Sequence, residues 1–183
     1  MGFFQSIANL FYATPDIDFR LQIIGFENAG KTTILQKMKL GGLPEDGEGG
    51  GSLVPTVPTI GVDLEELQVR NVNVKVWDLS GQLKLRNTWK YYYESVNGII
   101  FVIDSTNQET LPDVRDTLHQ VMSETSESQI PILIFANKQD VQGALAYSQI
   151  RNELALAGES DYRRKIRIQE ASGLTNLGLQ EGF

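Results

Sequence analysis

Apolar positions along the chain follow two patterns: short continuous runs, and stretches in which they recur at helical spacing. Phe19-Arg20-Leu21-Gln22-Ile23-Ile24 reads as a buried strand running into a glycine turn. The helical pattern that follows covers Lys31 to Leu40 and stops at Gly41-Gly42. Val62 to Leu67 and Val72 to Trp77 read as two strands, with Arg70-Asn71 at the expected hairpin turn. Ile99 to Ile103 and Ile130 to Phe135 are unbroken apolar runs, the mark of strands buried on both faces of a parallel sheet. Helical patterns over Glu109 to Met122 and Ser148 to Leu156 separate them from a last short strand, Ile166 to Gln169. Strands alternating with helices predict an α/β fold, a mostly parallel sheet covered on both faces. Ahead of this, Phe3, Phe4, Ile7, Leu10 and Phe11 form one apolar stripe, so Phe3 to Tyr12 reads as a short amphipathic helix broken by Thr14-Pro15-Asp16. The expected organisation is a helix and linker over 1–17 and one domain over 18–183. The Gly- and Pro-rich stretch from about 42 to 57 has no periodicity and reads as an inserted surface loop.

The 183-residue length suits one domain, and 41% hydrophobic residues suffice for a real core. A net charge of −7 argues against a general nucleic-acid binder, which needs a surplus of cations. The absence of cysteine and the single histidine, His119, exclude thiolate and histidine-rich metal sites. No apolar run approaches the roughly 18 residues of a membrane-spanning helix, and no basic start of a secretory signal is present. A cytoplasmic domain is the expectation.

Gly25-Phe26-Glu27-Asn28-Ala29-Gly30-Lys31-Thr32 has the glycine, four-residue, glycine, lysine, hydroxyl spacing of a phosphate-binding loop, placed between a strand and a helix. Its glycines let the backbone curl so that N–H groups from Glu27, Asn28, Ala29 and Gly30 face phosphate oxygens. The helix adds its positive N-terminal end. Lys31 places a charge on the β- and γ-phosphates, and Thr32 offers a hydroxyl to Mg²⁺. Asn137-Lys138-Gln139-Asp140, at the end of a buried strand, narrows the base. The Asp140 carboxylate can accept from the ring N–H and amine of guanine, and a buried carboxylate rejects a base that leaves it unpaired. Asn137 can bridge base and phosphate loop, while the stem of Lys138 lies along the base plane. In Trp77-Asp78-Leu79-Ser80-Gly81-Gln82, Asp78 would reach the metal through water. Gly81 would bring an N–H close to the γ-phosphate, and Gln82 would orient an attacking water. Thr59, in Pro58-Thr59-Ile60-Gly61, could supply a metal ligand and a γ-phosphate sensor.

These motifs, with Thr33 extending the phosphate loop, resemble the Arf and Arf-like branch of the Ras superfamily of small GTPases over nearly the whole chain; the opening is similar to the Arf-like 1 type. The resemblance implies a P-loop NTPase fold of the Ras-like G-domain kind, six strands with one antiparallel edge, GTP or GDP and Mg²⁺ as ligands, and a role in membrane traffic, including at the Golgi. It implies an exchange factor, a GTPase-activating protein and effectors as partners. It also implies a guanine-contacting loop at Ala171-Ser172-Gly173-Leu174, in which the Gly173 N–H meets the guanine carbonyl. The Val62 to Trp77 hairpin is expected to slide in register by an even number of residues, so that side chains keep their faces, and to expel the N-terminal helix from a groove. The family's aromatic effector trio falls on Val62, Trp77 and Tyr92, of which Val62 departs from the pattern. Glu27 stands where the family has a shorter aspartate, and Ser80 replaces a glycine. The chain stops near the start of the family's final helix, Leu179 to Phe183, which implies that this helix is cut short.

Gly2 followed by Ser6 fits the loose N-myristoylation pattern, although Phe3 is unfavourable for it. A single acyl chain needs a second signal. With no Lys or Arg before Arg20, that signal must be the apolar face of the N-terminal helix, unless the helix simply packs on its own domain. No arginine occupies an obvious finger position, so hydrolysis alone should be slow. Two rival readings remain: a nucleotide-bound interaction module that does not hydrolyse, and an ATP-using P-loop kinase, which Asn137 to Asp140 disfavour.

Overall fold

The computed structural model describes residues 19–41, 59–69, 72–156 and 164–182. The expected N-terminal helix with Gly2, the 42–57 loop and the Arg70-Asn71 turn lie outside the described residues. Strands β1 (Phe19–Gly25), β2 (Val62–Val69), β3 (Val72–Leu79), β4 (Gly98–Asp104), β5 (Ile132–Asn137) and β6 (Ile166–Glu170) form a six-stranded sheet in the order β2-β3-β1-β4-β5-β6. Among the described residues only the β2–β3 pair is antiparallel; β1 pairs in parallel with β3 and β4, and β5 in parallel with β4 and β6. Helices α1 (Lys31–Gly41), α2 (Leu111–Glu124), α3 (Tyr147–Glu153) and the short α4 (Leu179–Gly182) complete the described elements, with 3₁₀ turns over Leu83–Ser95 and Gln108–Thr110.

The unbroken apolar runs exist because alternate residues of one strand feed two cores. Leu21, Ile23, Ile100, Val102, Leu133 and Phe135 pack with Ile34, Leu35 and Met38 of α1 on one side. Ile24, Ile99, Phe101, Ile103, Ile132 and Ile134 pack with Leu111, Val114, Leu118 and Val121 of α2 on the other. Strand β5 begins at Ile132, later than the apolar run suggests, because Pro131 has no N–H and only its carbonyl serves the sheet, accepting from Ile99 at 3.0 Å. Helix α3 ends at Glu153, short of the predicted Leu156, where Ala155 turns to a φ of 50°. His119 has a packing role: its Nε2 meets the Leu154 carbonyl at 2.9 Å, tying α2 to the end of α3.

The Leu83–Ser95 segment has no counterpart in the sequence reading. It buries Trp89 and Tyr93, four positions apart, against the second core, with the charged Lys84, Arg86 and Lys90 interspersed along the segment. The parallel arrangement brings the C-terminal ends of β1, β3, β4 and β5 to one edge, where an open α/β sheet binds its ligands.

Candidate functional site

Strand β1 ends at Gly25, whose φ is 143° and where a Cβ would overlap the Val102 carbonyl of β4. Gly30 closes the loop at a φ of 97°, and a Cβ there would strike the Asn137 amide. The glycines thus serve the close approach of neighbouring strands as well as the curl of the loop. Lys31, the first residue of α1, is buried and donates to the Gly25 and Phe26 carbonyls at 3.1 and 3.0 Å. Burial pulls its ammonium down to a pKa of about 8, only partly opposed by Asp78 and Glu27.

Across the cleft, Thr32 Oγ1 donates to Asp78 Oδ2 at 2.8 Å, and the Thr59 hydroxyl donates to the same oxygen at 3.2 Å. The two hydroxyls lie 3.1 Å apart. Asp78 is buried, and burial raises its pKa above the usual carboxylate value against the pull of Thr32 and Lys31. Its Oδ1 has no hydrogen-bond partner among the described residues. A buried acceptor left open beside two hydroxyls fits a Mg²⁺ ion that keeps its waters, one of which would donate to Oδ1. Among the described residues no group of three or more His, Cys, Asp or Glu could hold a metal, so Mg²⁺ would depend on phosphate oxygens for the rest of its shell.

An ideal Cβ on Gly81 would lie 2.5 Å from the Glu27 nitrogen and 2.5 Å from the Gly25 carbonyl oxygen, so the end of β3 runs directly onto the phosphate loop. One cleft gathers Glu27, Asn28, Gly30, Lys31, Thr32, Thr33, Thr59, Gly81 and Gln82, all expected there. Ala29 is buried below it.

The base side is joined to this cleft by Asn137, which is buried and donates from Nδ2 to the Ala29 carbonyl at 2.7 Å. Lys138, at a φ of 67°, reaches back to Asp104 Oδ2 at 2.6 Å, which lays out its stem. Although burial works against it, the Asp104 carboxyl is held below its usual value by Lys138 and Thr106. Asp140 accepts from the buried Ser172 hydroxyl at 2.5 Å. Two expectations need correction. Asp140 is exposed rather than buried, so the base itself must complete its desolvation. The Gly173 N–H is not open toward a ligand; it donates to Asn137 Oδ1 at 2.9 Å and must be shared or exchanged to meet a guanine carbonyl.

Of the effector trio, Val62 is exposed opposite Leu79 at the start of β2, while Trp77 and Tyr92 are half-buried against the second core. Sequence reasoning missed Asp104, which lies opposite Asn137 in the β4–β5 register. It also missed Arg86, whose guanidinium carbon lies 3.4 Å from the Phe26 ring centroid and whose Nε donates to the Gly81 carbonyl at 3.0 Å. The signal for Asp104 was its place at the end of a strand neighbouring β5; none marked Arg86.

The ADP-ribosylation factor family model matches residues 4–183. The chain belongs to this family. ADP-ribosylation factors J and K of Dictyostelium discoideum are 37% and 38% identical over 182 residues, covering all of this chain and 89% of each relative. The Arl6 BBS3 small GTPase of Trypanosoma brucei, solved with the bound nucleotide analogue GppNp, superposes with a TM-score of 0.77 at 26% identity, covering 91% of this chain and 94% of that one. This ADP-ribosylation factor family chain is therefore a small GTPase with a Ras-like G domain, a GTP-binding switch.

Proposed function

We propose that this GTPase hydrolyses GTP slowly by itself and, in its GTP state, engages effectors and a membrane surface in vesicle traffic. The observation that carries the nucleotide assignment is the 2.7 Å bond from Asn137 to the Ala29 carbonyl, which welds a guanine-selective tetrapeptide to a phosphate loop. In this reading Lys31 leaves the Gly25 and Phe26 carbonyls for the phosphates, with Thr33 and the loop N–H groups of Glu27 to Gly30 around them. Gly81 brings its N–H to the γ-phosphate, and Gln82 orients the attacking water. Asn137, Lys138, Asp140, Ser172 and Gly173 hold guanine. Thr32 and Thr59 would hold Mg²⁺ directly, and Asp78 through water; the ion supplies charge neutralisation at the phosphates.

Slow turnover follows because the Arg86 guanidinium sits over Phe26, leaving the transition state without a cis arginine, which would contribute about 10³–10⁵-fold. An activating protein therefore supplies one. Ile60, Leu64, Leu83 and Tyr91 are exposed apolar side chains flanking Val62, Trp77 and Tyr92, which supports effector docking there. Membrane contact, as a peripheral protein at the Golgi or a related compartment, rests on the apolar N-terminal segment and acylation of Gly2.

Single-turnover hydrolysis of preloaded GTP, with and without cell extract, tests the switch. The expected result is slow decay that extract accelerates and that Gln82→Leu abolishes while nucleotide stays bound. Glu27 favours a second reading, since it places a carboxylate in the cleft where γ-phosphate charge would gather. That reading, a nucleotide-bound interaction module, predicts no hydrolysis under either condition. GTP-dependent binding to liposomes and an acyl mass on Gly2 test the membrane role; absence of both refutes it.

A further inference from the structure

The peptide that precedes the Gln82 side chain is held at both of its polar ends. Arg86 donates from Nε to the Gly81 carbonyl at 3.0 Å, and the Gln82 N–H donates to the Ser80 hydroxyl at 3.3 Å. The Ser80 carbonyl in turn accepts from the indole N–H of buried Trp89 at 3.1 Å. The Arg86 guanidinium carbon also lies over the Phe26 ring of the phosphate loop, 3.4 Å from its centroid. A guanidinium over an aromatic face is attracted by the ring quadrupole and is preorganised by its own planarity. One side chain thus touches both the phosphate loop and the Gly81–Gln82 peptide.

We infer that Arg86 is a positioning residue for hydrolysis, a latch that uses the Phe26 ring to hold the Gln82 peptide at a fixed height above the phosphate loop. The inference rests on the assignment of Gln82 to water orientation. Ser80, where the family pattern has glycine, belongs to the same device, since its hydroxyl receives the Gln82 N–H. Arg86 is not a catalytic residue in this scheme, because its guanidinium is committed to Phe26 and Gly81 and does not line the cleft.

The test is a double-mutant cycle in the full chain, read by single-turnover GTP hydrolysis and by GTP affinity. Arg86→Lys keeps the charge and loses the planar fork; Phe26→Leu keeps bulk and loses the ring. Each should slow hydrolysis about tenfold with GTP affinity nearly unchanged, on the scale at which sub-ångström misplacement reduces rate. The double variant should be no slower than either single one, because both remove the same contact. Phe26→Tyr should recover the rate lost in Phe26→Leu. In the unsubstituted protein, the Arg86 Nε–H resonance should carry a ring-current shift. Wild-type rates in both single variants, additive losses, failure of the tyrosine to rescue, or an unshifted resonance overturns the latch. If Gln82→Leu itself hydrolyses normally, the assignment of Gln82 fails instead. If Gln82→Leu is inactive while the Arg86 and Phe26 variants are normal, only the latch fails.

Discussion

Replacing Gly81 with alanine gives the strongest test of how the end of β3 meets the phosphate loop. The added Cβ would sit 2.5 Å from the Glu27 nitrogen, the Gly25 oxygen and the Phe26 carbonyl carbon. All three are backbone atoms, so no side chain can rotate aside. Restoring ordinary contact near 3.4 Å requires a separation of about 0.9 Å (3.4 − 2.5). The loop is anchored at both ends by β1 and α1, so the Ser80–Gln82 segment is the part that lifts. A displacement near 1 Å costs roughly 10²-fold in rate, or about 2.7 kcal/mol in the barrier. It also withdraws the Gly81 N–H from the γ-phosphate, which GDP lacks. Fluorescent-nucleotide titration should therefore find GDP affinity nearly intact and GTP preference reduced, and single-turnover hydrolysis should fall about 100-fold. A Gly81→Ala protein with the wild-type GTP-to-GDP preference and hydrolysis rate would refute the geometry.

The burial of Lys31 gives a pH signature in the nucleotide-free protein. Between its folded pKa of about 8 and the ordinary 10.5 the unfolded chain binds more protons, so stability rises with pH across that window. Differential melting should show the advantage of Lys31→Met over wild type greatest below pH 8 and shrinking toward 10.5; a constant difference contradicts it. Asp140→Asn exchanges an acceptor pair for a donor, so guanine affinity should drop by about 10²-fold or more while xanthine nucleotides gain. Unchanged selectivity in competition binding would remove Asp140 from the base site. Asp104→Asn loses the 2.6 Å ion pair that fixes Lys138 and should weaken GDP binding about tenfold without affecting hydrolysis of bound GTP. An equal loss in both measurements would assign Asp104 a different role.

The strands and the nucleotide motifs were legible because their causes are local. Ile99 to Ile103 is apolar throughout since alternate residues enter different cores, and Gly25 to Thr32 carries its spacing in eight consecutive positions. What stayed hidden depends on contacts between distant residues. Nothing near Arg86 announces Phe26, sixty positions earlier, and Lys138 finds Asp104 only through the β4–β5 register. The Leu83–Ser95 turns escaped because Trp89 and Tyr93, which anchor them, stand among interspersed charged and polar residues. The motif around Asp140 identified the base contact but not its setting: the carboxylate is exposed, and Ser172, thirty-two residues on, orients it.

The nucleotide carried by the purified protein tests the shared guanine and phosphate site most directly. Denaturing the native protein and separating what it releases should yield GDP or GTP in near-stoichiometric amount, held in a Mg²⁺-dependent manner. Release of an adenine nucleotide, or a protein that is empty and fails to take up added GTP in competition with ATP, would contradict the assignment of Asn137, Lys138 and Asp140 to guanine.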